Sequence, residues 1–183
     1  YDPSHPPAFS PVGCLTFGGR GVQPAPDWAT GVVSFVSRPF DAACHVQGRM
    51  RLRLAVRSDC EDTAFYVRMS IWRNGEGRWY NLRDDIKTIC WDHPDYRPGT
   101  EADLDYLLSD HAFVICPGDR LRVDVAGASP EQFVPHTNFR GPFHEQPKSR
   151  IARNVIVAGR SVLVLPTTAE VRDPLRLCYQ IAR

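Results

Sequence analysis

The sequence is poor in the features that announce most specialised proteins. Only two lysines occur, Lys87 and Lys148, in a chain of 183 residues, and Lys+Arg 22 against Asp+Glu 21 leaves a formal net charge of +1. That balance excludes a dedicated nucleic-acid module or a polybasic membrane binder, which need a strong positive excess. No apolar run approaches the ~18 residues of a membrane helix. Tyr1 to Pro7 show no basic stretch followed by an apolar core, so no secretory signal is read there. The chain also does not open with methionine, and a piece processed or cut from something longer is expected.

The six cysteines, at positions 14, 44, 60, 90, 116 and 178, form no C-x-x-C pair. A zinc site needs closely paired ligands, and a disulfide scaffold is shorter and denser in cysteine. Several thiols sit in apolar runs, such as Ile89-Cys90-Trp91, and read as small hydrophobes kept reduced in the cytoplasm. No N-x-[ST] sequon occurs.

What is present is a core and a sheet pattern. Hydrophobic residues reach 43% and charged residues 23%, enough apolar material for one packed domain. Residues 1–31 hold much of the proline and glycine and predict an extended arm or linker lying on a surface, with the folded domain at 32–183. Alternation begins after it. Met50, Leu52, Leu54 and Val56 alternate with arginines. The same period recurs in Phe65, Val67, Met69 and Ile71, in Leu121, Val123 and Val125 against Arg120, Arg122 and Asp124, and in Leu175, Leu177, Tyr179 and Ile181. Such period-2 patterning predicts strands with one buried and one wet face. Val32–Val36, Val155–Val157 and Val162–Leu165 predict further strands. Asn74-Gly75 between Trp72 and Trp79 predicts a hairpin, with Asn-Gly suited to positive φ and the two tryptophans paired across it. Thr100–Ser109 reads equally as a capped helix or a strand. About ten short strands with almost no helix predict an antiparallel β-sandwich.

Chemistry is scarce. The nucleophile elbow G-x-S-x-G is only half matched, by Gly127-Ala128-Ser129-Pro130-Glu131 and by Gly159-Arg160-Ser161-Val162-Leu163. Ser129 therefore reads as a turn serine and Ser161 as a strand-start serine. His5, His45, His93, His111, His136 and His144 are scattered, without the H-x-H or H-E-x-x-H spacing of a metal site. Asp92-His93-Pro94-Asp95 and His144-Glu145 read as solvated loops. Asp59-Cys60-Glu61-Asp62 reads as a turn joining strands, and neither it nor Asp84-Asp85 has the companions of a glycosidase pair. Gly18-Gly19-Arg20-Gly21 neither follows a strand nor opens a helix, so it makes no phosphate cradle. No catalytic, metal or cofactor residue is assigned.

Several segments carry a resemblance. Tyr1-Asp2-Pro3-Ser4-His5-Pro6 followed by Gly18-Gly19, Phe35-Val36-Ser37-Arg38-Pro39-Phe40, and above all Ser58-Asp59-Cys60-Glu61-Asp62-Thr63-Ala64-Phe65 are similar to the C-terminal part of X-Pro dipeptidyl-peptidase and cocaine-esterase-like hydrolases. Leu82-Arg83-Asp84, Pro117 to Val123, Phe133 to Asn138, Ala152-Arg153-Asn154 and Ser161 to Pro166 extend the likeness over nearly the whole chain. Departures are Asp119, where many members have His, and Gly127-Ala128 in place of a common Ser pair. The resemblance implies a jelly-roll sandwich of galactose-binding-like type packed on an N-terminal α/β-hydrolase domain of the same parent chain. It implies further that the catalytic Ser, Asp and His lie in that other domain and that homo-oligomers are possible. Two competing expectations stand beside it. One is a carbohydrate-binding module using Trp28 or Trp91; the other, more remote, is a free-standing jelly-roll metalloenzyme.

Overall fold

The alternating segments pair into two antiparallel sheets packed as a sandwich. A computed structural model describes residues 1–9, 21–146, 148–167 and 175–176. In chain order the strands are β1 (Val22–Gln23), β2 (Val32–Val36), β3 (Cys44–Ser58), β4 (Ala64–Arg73), β5 (Arg78–Thr88), β6 (Glu101–Ile115), β7 (Arg120–Ala126), β8 (Asn154–Ile156), β9 (Val162–Val164) and β10 (Leu175–Arg176). The first sheet runs β1-β5-β4-β7-β2; the second runs β10-β9-β3-β6, with β8 also on β3. The expected all-β sandwich is what forms. The alternation expected at Leu177, Tyr179 and Ile181 lies outside the described residues.

The inward faces make one core. Met50, Leu52, Leu54 and Val56 from β3 share it with Phe65, Val67, Met69 and Ile71 from β4, and with Leu121, Val123 and Val125 from β7. Each such side chain contributes about 1.5–3 kcal/mol by leaving water. Thr100–Ser109, open between helix and strand in sequence, lies mostly in β6. Its period-2 set Ala102, Leu104, Tyr106 and Leu108 is buried, and β3 offers a partner along the whole length. A short helix α1 (Ile89–Asp92) follows β5, its first turn capped by Thr88, whose Oγ1 accepts from the Trp91 amide at 3.2 Å.

The hairpin forms between β4 and β5 with Trp72 opposite Trp79, ring centroids 5.6 Å apart. Its turn differs from the expectation at Asn74-Gly75. The positive φ falls on Gly77 (62°), whose amide bonds the Arg73 carbonyl at 2.8 Å. A four-residue loop places its left-handed residue last, and the Asn74 amide is drawn instead to Asp119 Oδ1 at 2.9 Å.

The first sheet also departs from expectation. Its outward residues were expected to be wet, yet Arg68, Ser70, Arg122 and Asp124 are buried. The described parts of the arm explain this. β1 pairs with β5, Phe9 and Trp28 pack with Tyr66, and the Pro24 carbonyl accepts from Arg122 at 2.7 Å. Tyr1 is tied at the end where β7 finishes, exchanging two backbone bonds with Ala152 at 2.6 and 2.9 Å. Segments 1–9 and 21–31 thus lie on the sandwich surface and are held there by these contacts.

Candidate functional site

The two elbow-like serines are structural. Ser161 is buried, its hydroxyl donating to the Val157 carbonyl and accepting from the Ala55 amide at 3.1 and 3.0 Å. Ser129 is equally buried, and its carbonyl accepts from the Gln132 and Phe133 amides at 2.9 Å each, which makes it a turn. A substrate carbonyl cannot reach either oxygen.

Histidines divide among backbone and acid partners. His93 Nε2 lies 2.8 Å from the Asp103 carbonyl and His111 Nε2 lies 3.2 Å from that of Leu82. Burial, then nearby Arg83, lowers the His111 pKa. His5 and His144 are exposed beside Asp2 and Glu145. Among the described residues, no group of three or more His, Cys, Asp or Glu is placed to hold a metal ion. Asp84 and Asp85, adjacent in β5, project to opposite faces and do not flank a common substrate position. Cys44, Cys60, Cys90 and Cys116 are free thiols, and burial raises the pKa of the first three, the reverse of an activated nucleophile. Cys14 and Cys178 lie outside the described residues.

Two polar centres join distant segments of the fold. One ties the turn after β3 to the loop after β7. Asp62 accepts from the Thr63 and Cys90 amides at 2.9 and 3.0 Å and stands 3.4 Å from His136 Nε2. The Asn138 amide donates to His136 Nδ1 at 3.0 Å, so the proton of the neutral ring sits on Nε2, facing Asp62. Burial opposes ionisation of Asp62, but the His136 contact and the two amides hold its pKa below the ordinary carboxylate value. Asn138, at φ 70°, accepts from Thr63 Oγ1 at 2.8 Å and donates to the Arg150 carbonyl at 2.6 Å. This Asp–His pair has no nucleophile on its other side; its remaining ring nitrogen is committed to backbone. It fixes two loops.

The other centre is a register row across four strands of the first sheet: Ser34, Asp124, Arg68 and Asp84. Asp124 Oδ1 accepts from Ser34 Oγ at 2.6 Å, and its Oδ2 lies 3.0 Å from Arg122 Nη2 without hydrogen-bond alignment. Arg68 donates to the Tyr66 hydroxyl at 2.9 Å and to Gln23 at 3.0 Å, while Tyr66 donates to Asp84 at 2.7 Å. Burial pushes the Asp124 pKa up and the Arg122 pKa down, each pulled back by the other's charge. The guanidinium groups of Arg68 and Arg122 lie over the Phe9 and Trp79 rings at 4.8 and 4.7 Å. Sequence reading missed this row, because alternation places Arg122 and Asp124 on the wet side. The aromatics Phe9 and Trp28 in an otherwise proline-rich arm were the available signal for a cover.

Among the described residues, buried serines and polar centres that join distant segments sit within one class of fold: a two-sheet antiparallel β domain. The chain belongs to the family of the X-Pro dipeptidyl-peptidase C-terminal non-catalytic domain, whose model matches residues 21–161. Its fold is similar to part of an aminopeptidase from a marine sediment archaeon, Thaumarchaeota archaeon, at 18% identity over 78% of this chain and 27% of that one, with a TM-score of 0.62. It is similar also to part of an α-amino acid ester hydrolase (17% identity, 91% of this chain, 31% of that one, TM-score 0.64). A CocE/NonD family hydrolase from Staphylococcus aureus shares 13% identity over 75% of this chain and 30% of its own, with a TM-score of 0.53. The chain thus spans less than a third of each of these proteins. Comparison with curated proteins gives no match.

Proposed function

We propose that this chain is the non-catalytic C-terminal domain of a serine hydrolase, buttressing an N-terminal α/β-hydrolase domain and walling its substrate cleft. The parent would cleave a peptide or acyl ester bond through an acyl-enzyme formed in that other domain. In this reading residues 1–31 are the linker, 32–183 form a jelly-roll sandwich of galactose-binding-like type, and the free thiols fit a cytoplasmic setting. Family membership carries the proposal; the burial of Ser129 and Ser161 supports it. The test is direct. The 183 residues alone should not turn over X-Pro anilides or aryl esters, while the full-length parent should. Turnover by the isolated chain with covalent trapping at one of its serines would sink the reading.

A carbohydrate-binding role draws on one observation, the exposed Trp91. Trp28, the other aromatic it would use, packs edge-on against Phe9 at 5.3 Å. Specific glycan binding abolished by Trp91→Ala would favour that role over the first.

A further inference from the structure

Exposed apolar surface is concentrated at one end of the sandwich. Among the described residues, eight large apolar side chains are exposed: Val22, Trp91, Leu107, Val134, Phe143, Ile151, Val155 and Val164. Five of these eight belong to the end where β3 and β7 finish and β4 and β6 begin. Trp91 (73% exposed) is on α1, whose Ile89 amide bonds Thr63 in the adjoining turn. Val134 (74%), Phe143 (47%) and Ile151 (63%) are in the loop after β7. Val155 (40%) pairs with Arg57 near the end of β3. The loop is held as one body: Phe143 packs on His136 with centroids 5.2 Å apart, the Arg150 amide bonds Thr137, and Arg140 reaches the Tyr96 carbonyl beside α1 at 2.5 Å.

Among the described residues, the remaining three exposed apolar side chains, Val22, Leu107 and Val164, are not gathered at this end. The outer face of the first sheet is covered by the arm. That of the second carries arginine–carboxylate pairs facing solvent. The opposite end centres on buried Asp119, which accepts from Arg73 at 2.7 Å and from the Asn74 and Cys116 amides at 2.9 Å each. Five of eight exposed large apolar side chains gathered at one end point to that end as an interface.

Tyr1 identifies the occupant. Its ring lies on Gly127, where any Cβ would collide with it, and its backbone is paired with Ala152, next to Ile151. Tyr1 therefore sits at this same end, where any polypeptide joined to it would enter. The family is a C-terminal domain, and the solved relatives are more than three times the matched length. We propose that the loop end bearing Trp91, Val134, Phe143, Ile151 and Val155 is the docking face for the domain that precedes Tyr1 in the parent polypeptide. This rests on the accessory-domain reading.

Amide exchange compared between the isolated 183 residues and the full-length parent tests it. Peptides covering 89–92, 132–144 and 150–156 should be slowed by about tenfold or more in the parent, while 74–78 and 105–113 should not change. Val134→Asp with Ile151→Asp, both at exposed positions, should leave the isolated chain's melting temperature unchanged and speed protease cleavage ahead of Tyr1 in the parent. Protection appearing at the hairpin end or on the second sheet would overturn the docking face alone. Concentration-dependent protection of the same peptides in the isolated chain would overturn it in favour of a second copy. Turnover of an acyl substrate by the isolated chain would bring down the accessory reading, and the docking face with it.

Discussion

On the outer face of the second sheet, Arg49, Arg51 and Arg53 meet Asp110 and Asp105 at 3.1–3.4 Å with every partner substantially exposed; on that of the first, Arg68, Arg122, Asp84 and Asp124 are almost wholly buried. The charge types and strand geometry are the same, and the surroundings differ. In water each ion pair gains little, because solvent screens the attraction and ordering two long side chains costs entropy. Under a cover of Phe9, Trp28 and Gln23, desolvation is severe and every remaining partner matters. Alternation specifies which residues share a face. It does not specify whether another segment will lie on that face.

The largest effect should come from breaking the covered row. Asp124→Ala removes the carboxylate beside Arg122 and Ser34, leaving a buried guanidinium beside a vacated position. A loss of about 3–5 kcal/mol is expected in urea unfolding. Replacing both charges, Arg122→Met with Asp124→Leu, should recover most of that loss, since two apolar side chains leave no orphaned charge. A shift for Asp124→Ala below about 1 kcal/mol would make the two faces energetically alike and end the comparison.

How much was legible in the sequence follows the same division. Residues in contact with the core were readable: Met50 to Val56, Phe65 to Ile71 and Leu121 to Val125 alternate, and their inward sets are buried. The Trp72–Trp79 pair was readable because a turn fixes local register. The position of positive φ within that turn was not: Gly77 takes it, while the Asn74 amide is held by Asp119, forty-five residues away. The Asp62–His136 contact and the burial of Arg68 were likewise invisible. Both depend on which distant segments meet, and neither spacing nor composition records that. Ser129 and Ser161 show the converse: local sequence marks the first as a turn residue and the second as a strand start, and they stand in the turn after β7 and just ahead of β9.

A smaller, pH-dependent effect sharpens the contrast between Asp119 and Asp124. Burial works against the Asp119 charge, but the Asn74 and Cys116 amides and Arg73 outweigh it and lower its pKa. A depressed folded value stabilises the fold above the unfolded pKa of about 3.9, and that contribution is lost as pH falls through the lower, folded value. Asp124 has the opposite sign. Its raised pKa means protonation relieves a penalty, so its contribution improves as pH falls through the folded value. Thermal melts from pH 6 down to about pH 2.5 should show Asp119→Asn flattening the acid limb and Asp124→Asn steepening it. Parallel acid limbs for the two variants would contradict the assigned signs.

The smallest effect belongs to the wet face. Arg51 pairs with Asp105 at 3.1 Å, and Asp105 also meets Arg53 at 3.4 Å, so removing Arg51 leaves the carboxylate with a partner and with water. Arg51→Ala should therefore change unfolding free energy by less than about 1 kcal/mol, and less still at high salt. Position 51 also lies in register with the exposed Leu107 and Val164, so the arginine has an apolar stem beside apolar neighbours as well as a charge. Arg51→Met separates the two roles by keeping a stem and deleting the charge. Equal stability of Arg51→Met and the parent chain, with a small loss only in Arg51→Ala, would show that this face uses its arginines chiefly as apolar cover. A loss of several kcal/mol from Arg51→Met would mean that the second sheet, too, depends on its charges.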